Sequence, residues 1–156
     1  MQRMLATSRR CWMRESGDRE GSAVMLLNLA IVAIGRRSGT RAREILQDVL
    51  AISAEMQSKP SGQCALDVCA ALAALCGEWK WAARFFGAVE AQTEQTGYHR
   101  DPSDEALLAP LIAQARAQLG AQTFDAAETE GHGLSYEAAN EEARGWLRGL
   151  VIASGE

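Results

Sequence analysis

Two stretches of this chain follow one plan, and that repetition limits the fold more than any single residue does. Residues 22–34 are apolar almost all round, interrupted only by Ser22 and Asn28. A turn and an amphipathic stretch, Thr40 to Met56, come next. Residues 62–76 are again apolar nearly all round, with Asp67 the main polar exception; Gly77-Glu78 and a second amphipathic stretch, Trp79 to about Thr96, follow. Sliding one unit on the other by about 41 residues pairs Gly21 with Gly62, Ala42 with Ala83 and Arg43 with Arg84. A helix that is apolar on every side belongs between other helices. The stretch Thr40–Met56 instead has one apolar stripe (Ala42, Ile45, Leu46, Val49, Leu50) opposite Arg41, Arg43, Glu44 and Asp48. Each unit therefore reads as a helix hairpin, and hairpins at a fixed period stack into a solenoid. Gly35 and Arg36-Arg37-Ser38-Gly39 mark the first turn, and Lys59-Pro60-Ser61-Gly62 the break between units.

The remainder suits an all-α chain. Prolines occur only at positions 60, 102 and 110, and β-branched or aromatic runs at strand spacing are missing. Arg3 to Glu15 reads as a short helix with Met4, Leu5 and Trp12 available for packing. After the loop Gly97–Pro102, a helix capped by Asp101 or Ser103 reaches Leu119 and buries Leu108, Leu111, Ile112, Ala115 and Leu119. Pro110 inside it should kink or divide it. A short helix, Gln122 to Glu130, presents Phe124 and Ala127, and Gly131-x-Gly133 stops it. Ser135 caps a last helix with Tyr136, Ala139, Ala143, Trp146, Leu147 and Leu150. The expected architecture is one all-α domain over residues 1–156, with units at about 22–56 and 62–96 and capping helices at about 102–152.

Charge is uneven. The net value is −4, yet residues 1–43 hold nine arginines against three acids, and the rest seven bases against seventeen acids. A basic front third suits nucleic acid, an acidic partner or the acidic end of another copy. With no reading motif and little aromatic interleaving, nucleic acid is the weakest of these. The longest nearly uncharged run, Gly21 to Gly35, is shorter than the roughly 20 residues of a membrane span. The arginine-rich start lacks the apolar core and cleavage site of a signal peptide, so the cytoplasm is the expected compartment. Cys64, Cys69 and Cys76 share one helix at spacings that neither bridge nor chelate, and with Cys11 they read as small buried apolar residues.

No constellation carries catalytic chemistry. No nucleophile has a base; no glycine motif follows a strand; His99 and His132 read as solvated loop residues. Asp104-Glu105 and Glu141-Glu142 are neighbours in sequence and splay around their helices, so they read as solvated faces. Trp79 and Trp81 lie about 200° apart on a helix, one to pack inward and the other to cover a neighbour; with Phe85 and Phe86 they serve packing or a peptide groove. Neither cofactor nor metal is expected. The candidate partner-binding residues are Asn28 and Asp67, the polar interruptions of the two apolar helices. Asn28 is either a satisfied core amide or a concave-face group that hydrogen-bonds a bound chain.

Two family resemblances add to this. Leu26, Leu29, Ala30, Ala42 and Leu46 resemble the tetratricopeptide pattern, and Asn28 then matches a position that in peptide-binding members often clamps a ligand backbone. The period is longer than in that family, an aromatic is missing at Ala33, and the second unit matches poorly. The stretch Trp81–Ala91, then Ala115–Gly120, Phe124, Gly131, Leu134-Ser135 and Glu137-Ala138 is similar to the C-terminal segment of bacterial LuxR-type and ATPase-linked signal-transduction regulators. The resemblance covers residues 77–145 and implies a right-handed tetratricopeptide-like array. In such proteins this part is a non-catalytic sensor or docking arm for a protein segment or small effector, while other domains handle ATP and DNA. This chain shows neither a phosphate loop nor a recognisable helix-turn-helix. A homo-oligomerisation module is the alternative, and a small-molecule enzyme the remotest reading.

Overall fold

The computed structural model describes residues 19–152, with side chains from residue 21. The expected helix Arg3–Glu15 and Cys11 lie outside the described residues. Those residues form seven helices and no strand: α1 (Arg19–Gly35), α2 (Gly39–Met56), α3 (Lys59–Leu75), α4 (Trp79–Thr96), α5 (Pro102–Leu119), α6 (Ala121–His132) and α7 (Tyr136–Gly149). Each of α2 to α4 starts 20 residues after the one before. Left-handed backbone recurs at the same interval, at Arg37, Gln57, Gly77 and Gly97. Three of these turns close the same way. Ser38 N–H donates to Ala33 O at 2.8 Å, Ser58 N–H to Ser53 O at 3.0 Å and Glu78 N–H to Ala73 O at 2.8 Å. Each bond satisfies a helix-end carbonyl that would otherwise lack a donor.

The structural period is therefore 40 residues, not 41. In this register Leu26 pairs with Leu66, Ala30 with Ala70, Ala33 with Ala73, Ala42 with Ala82 and Val49 with Val89, and all ten are buried. The Arg43–Arg84 equivalence dissolves, because a slip of one residue turns a helix face by about 100°. Helix ends also shift. The first turn falls at Arg36-Arg37, after Gly35 has joined α1, and Lys59-Pro60 opens α3. Proline fits the first turn of a helix, where its missing N–H would have no partner anyway. Pro110 does not divide α5. Pro110 and Ala106 are both exposed, so the carbonyl that loses its helical donor faces water.

Successive helices from α1 to α6 pack together, and α1 also meets α3 and α3 meets α5. The most extensive contact joins α4 to α6. Here α6 ends within Gly131-x-Gly133 as expected, at His132 with Gly133 as its cap. Gly131 has a further role: it lies in the last turn of α6 against Arg84 O, while Gly87 of α4 lies against the Glu128 backbone. A Cβ at either glycine would sit far inside the 3.0 Å that side chains keep from other atoms. Two glycines thus let the two backbones touch. Helix α7 folds back onto α2, α3 and α4. Its N-terminus is capped by Ser135, which accepts from Ala138 N–H at 3.1 Å. At the other end Arg43, read as lying opposite the apolar stripe of α2, donates from Nε to Leu147 O at 2.7 Å and from Nη2 to Arg148 O at 3.2 Å. These carbonyls carry the negative end of the helix dipole, which favours a cation there.

Trp146 of α7 packs against Trp81 and, edge to face, against Phe85 of α4, at ring centroid distances of 6.5 and 5.3 Å. Trp79 and Trp81 are both half-buried, so neither is the fully inward anchor expected. Leu111, Ile112 and Leu119 are likewise only partly buried, while Leu108 and Ala115 are in the core. Cys69 is buried, but Cys64 and Cys76 are half-buried, which corrects the reading of all three as interior. Helix α1 is not covered all round: Val24, Leu29 and Val32 are 51, 40 and 48% exposed. No described helix is long and apolar enough to cross a membrane.

Candidate functional site

Packing of the helices brings one surface together. Helices α1, α3 and α5 place Val24, Cys64 and Asp104, and one turn further Asn28, Val68 and Leu108, along a common groove of about 1010 Å³. Val24 with Cys64, and Asn28 with Val68, are equivalent positions 40 residues apart, and within each helix side chains four apart stack on one face. Helix α5, which starts 43 residues after α3, adds Asp104 and Leu108 outside that register. The C-terminal half of α4 and the loop 97–101 form the opposite wall.

Asn28 is exposed in this groove, and its side chain makes no hydrogen bond to any described residue. It is not a core amide. Asp67 also lines the groove, but its carboxylate is engaged. Arg100 donates to it from Nε and Nη2, both at 2.5 Å, and pairs with Glu105 through Nη1. Burial raises the Asp67 pKa against the opposing pull of Arg100. On the arginine side burial works against the cation, yet the hydrogen bonds and charges of Asp67 and Glu105 hold it above the usual guanidinium range. One turn earlier on α3, Gln63 donates to Tyr98 O at 2.8 Å and accepts from Thr96 Oγ1 at 3.0 Å. Gln63 and Asp67 thus grip the α4–α5 loop and hold up one wall of the groove.

Several acids and a histidine that read as solvated are engaged as well. Arg84 donates to Glu142 from Nε and Nη2 at 2.7 and 2.8 Å, and to Glu130 at 2.8 Å, tying α4 to both α6 and α7. His132 Nε2 lies 3.2 Å from Glu94, joining α6 to α4. His99 is exposed at the groove. Burial, then the charges of Asp67 and Asp104, pushes the Cys64 thiol up to about 11, so it is protonated at neutral pH and a poor nucleophile. No group of three His, Cys, Asp or Glu side chains among the described residues is placed to hold a metal.

Glu90, which sequence inspection missed, is a second perturbed acid on the groove. Burial, followed by a hydrogen bond and charge from Glu128, pushes its carboxyl up to about 7; Glu94 adds to this and His132 opposes it. The missed signal was tertiary, since Glu128 meets Glu90 only through the glycine crossing. A folded-state pKa raised from 4.5 to about 7 favours the protonated fold. Its stabilising contribution is complete below pH 4.5 and is lost as pH rises through about 7. Urea denaturation across that window should show stability falling with pH, and Glu90→Gln should flatten the slope. An unchanged slope in the variant would exclude Glu90 as the titrating group.

Comparison with protein-family models, curated proteins and solved structures finds no match for this chain.

Proposed function

We propose that the chain is a binding scaffold without catalytic chemistry of its own, and that the groove across α1, α3 and α5 is its working surface. The supporting observation is that the equivalent positions 24 and 64, and 28 and 68, line one groove together with Asp104 and Leu108 of α5. Arrays of helix hairpins recognise extended or helical segments on surfaces of this kind. The sequence resemblance adds the finer reading: a right-handed tetratricopeptide-like array serving as the sensor or docking arm of a bacterial regulator, with a protein segment or small effector as its ligand. Asp67 then acts by shaping the groove, and Asn28 by touching the ligand.

Peptides selected from a random library on the intact chain test this reading. Asn28→Ala should weaken the selected peptides about fivefold, the worth of one hydrogen bond, and shift stability by less than about 0.5 kcal/mol. Unaltered binding, with the footprint away from the groove, would sink the proposal, as would reproducible turnover of any substrate by the chain. The second reading, a homo-oligomerisation module, draws on Leu29 and Val32, exposed on α1 outside the groove. It predicts concentration-dependent dimers by light scattering.

A further inference from the structure

The acids of the groove do not balance its bases. Asp67, Glu90, Glu94, Asp101, Asp104 and Glu105 line it against Arg100 and His99. Three of these acids already have cationic or potentially cationic neighbours: Asp67 and Glu105 share Arg100, and Glu94 meets His132. Glu90, Asp101 and Asp104 make no ion pair with any described residue. Asp101 only caps α5, accepting from Ser103 N–H at 2.9 Å, and its charge helps raise the Asp104 pKa after the effect of burial. Across the groove, α1 offers Val24, Leu27 and Ile31 along one stripe, with Val24 half exposed. The unpaired acids therefore gather on α4, α5 and the loop between them, and α1 supplies an apolar side.

We infer that the groove takes a cationic amphipathic segment of a partner protein. Its arginines or lysines meet Glu90, Asp101 and Asp104, and its apolar side chains lie along Val24, Leu27 and Ile31 of α1. This rests on the groove being the working surface and adds the chemistry of the occupant. Charge complementarity selects the partner: a cation entering here relieves carboxylate repulsion, whereas an acidic segment would add to it. The site also leaves a protonic signature. Glu90 faces Glu94 on its own helix and Glu128 and His132 on α6, and Arg116 of α5 lies 3.9 Å from Glu128. A bound cation favours the Glu90 carboxylate, so binding releases a proton and strengthens as pH rises through about 7.

The test uses the full chain and two synthetic peptides of about 15 residues, ~22 Å as a helix. One carries arginine on one face and leucine on the other; the second has glutamine in place of every arginine. Titration calorimetry in buffers of different ionisation enthalpy should show the arginine peptide about tenfold tighter at low salt, with proton release, and the gap closing near ~1 M salt. Amide shifts should cluster at Val24, Asn28 and residues 97–104. The double variant Glu90→Gln, Asp104→Asn keeps side-chain size and removes like charge, so it should fold and lose most of that preference. Equal affinity of both peptides in the groove would overturn the cationic inference and leave the binding surface standing. If neither peptide shifts groove amides, the inference fails; if library-selected peptides also ignore Asn28→Ala, the surface itself fails. A dimer whose contact covers the groove would overturn it in favour of a second copy.

Discussion

Alanine in place of Gly131 is expected to lower stability by about 3 kcal/mol, the upper part of the usual range for overpacking. The sign is informative, because glycine to alanine inside a helix ordinarily stabilises by about 1 kcal/mol. Here the added methyl meets the Arg84 carbonyl and its backbone, which belong to the interior of another helix and have no room to retreat. Gly87→Ala meets the Glu128 backbone in the same way. Gly145→Ala is the control: in α7 its Cβ would lie 3.8 Å from Arg148 Nη2, an ordinary contact, so the change should be neutral or stabilising. Urea midpoints for the three variants decide the matter. A Gly131→Ala protein as stable as the parent would mean that α4 and α6 do not touch at these glycines. Separating them also moves Glu128 from Glu90, so the pH dependence near neutrality should weaken in any Gly131→Ala protein that folds.

The second large effect is expected from Asp67→Ala, which should cost about 2–3 kcal/mol and free the loop 97–101. Asp67 and Arg100 side chains are 11 and 16% exposed, so removing the acid strands a guanidinium that has lost its bidentate partner. Glu105 still holds that cation, which keeps the loss below that of a fully isolated buried charge. Amide exchange at Tyr98 to Arg100 should quicken, while that in α2 stays as before. The double change Asp67→Leu with Arg100→Met should recover most of the stability, because apolar packing replaces a buried pair at little net cost. If Asp67→Ala leaves both melting and exchange unchanged, the pair does not hold the loop. Weaker peptide binding by the double variant, at restored stability, would show that loop placement matters beyond folding.

These two experiments mark the limits of what periodicity could reveal. The stripe Ala42, Ile45, Leu46, Val49 and Leu50 is buried in full, and α4 runs from Trp79 to Thr96 as read from the pattern. Ser135 and Asp101 cap helices as their positions implied. Local chemistry decides such features, so local sequence displays them. The register was harder: Gly21–Gly62 and Arg43–Arg84 are identities without a shared structural position, and only the helix starts expose the true interval. Gly131 shows a related weakness, since a glycine near a helix end signals a stop or a close crossing equally well until the neighbour is known. Asn28 was ambiguous for the same reason. An amide in an apolar helix is core or surface according to what packs on that side.

By itself, then, the sequence determined an all-helical chain, its hairpin units and most of its caps, because these depend on side-chain spacing within a few residues. Tertiary structure alone decided the groove, the Asp67–Arg100 clasp, the Arg84 links to Glu130 and Glu142, and the meeting of Glu90 with Glu128. The partners of these contacts lie 33 to 58 residues apart, as in Arg100–Asp67 and Arg84–Glu142. No local period relates residues so distant. Their encounter is set by how the helices cross, and that is settled by volume at sites such as Gly87 and Gly131.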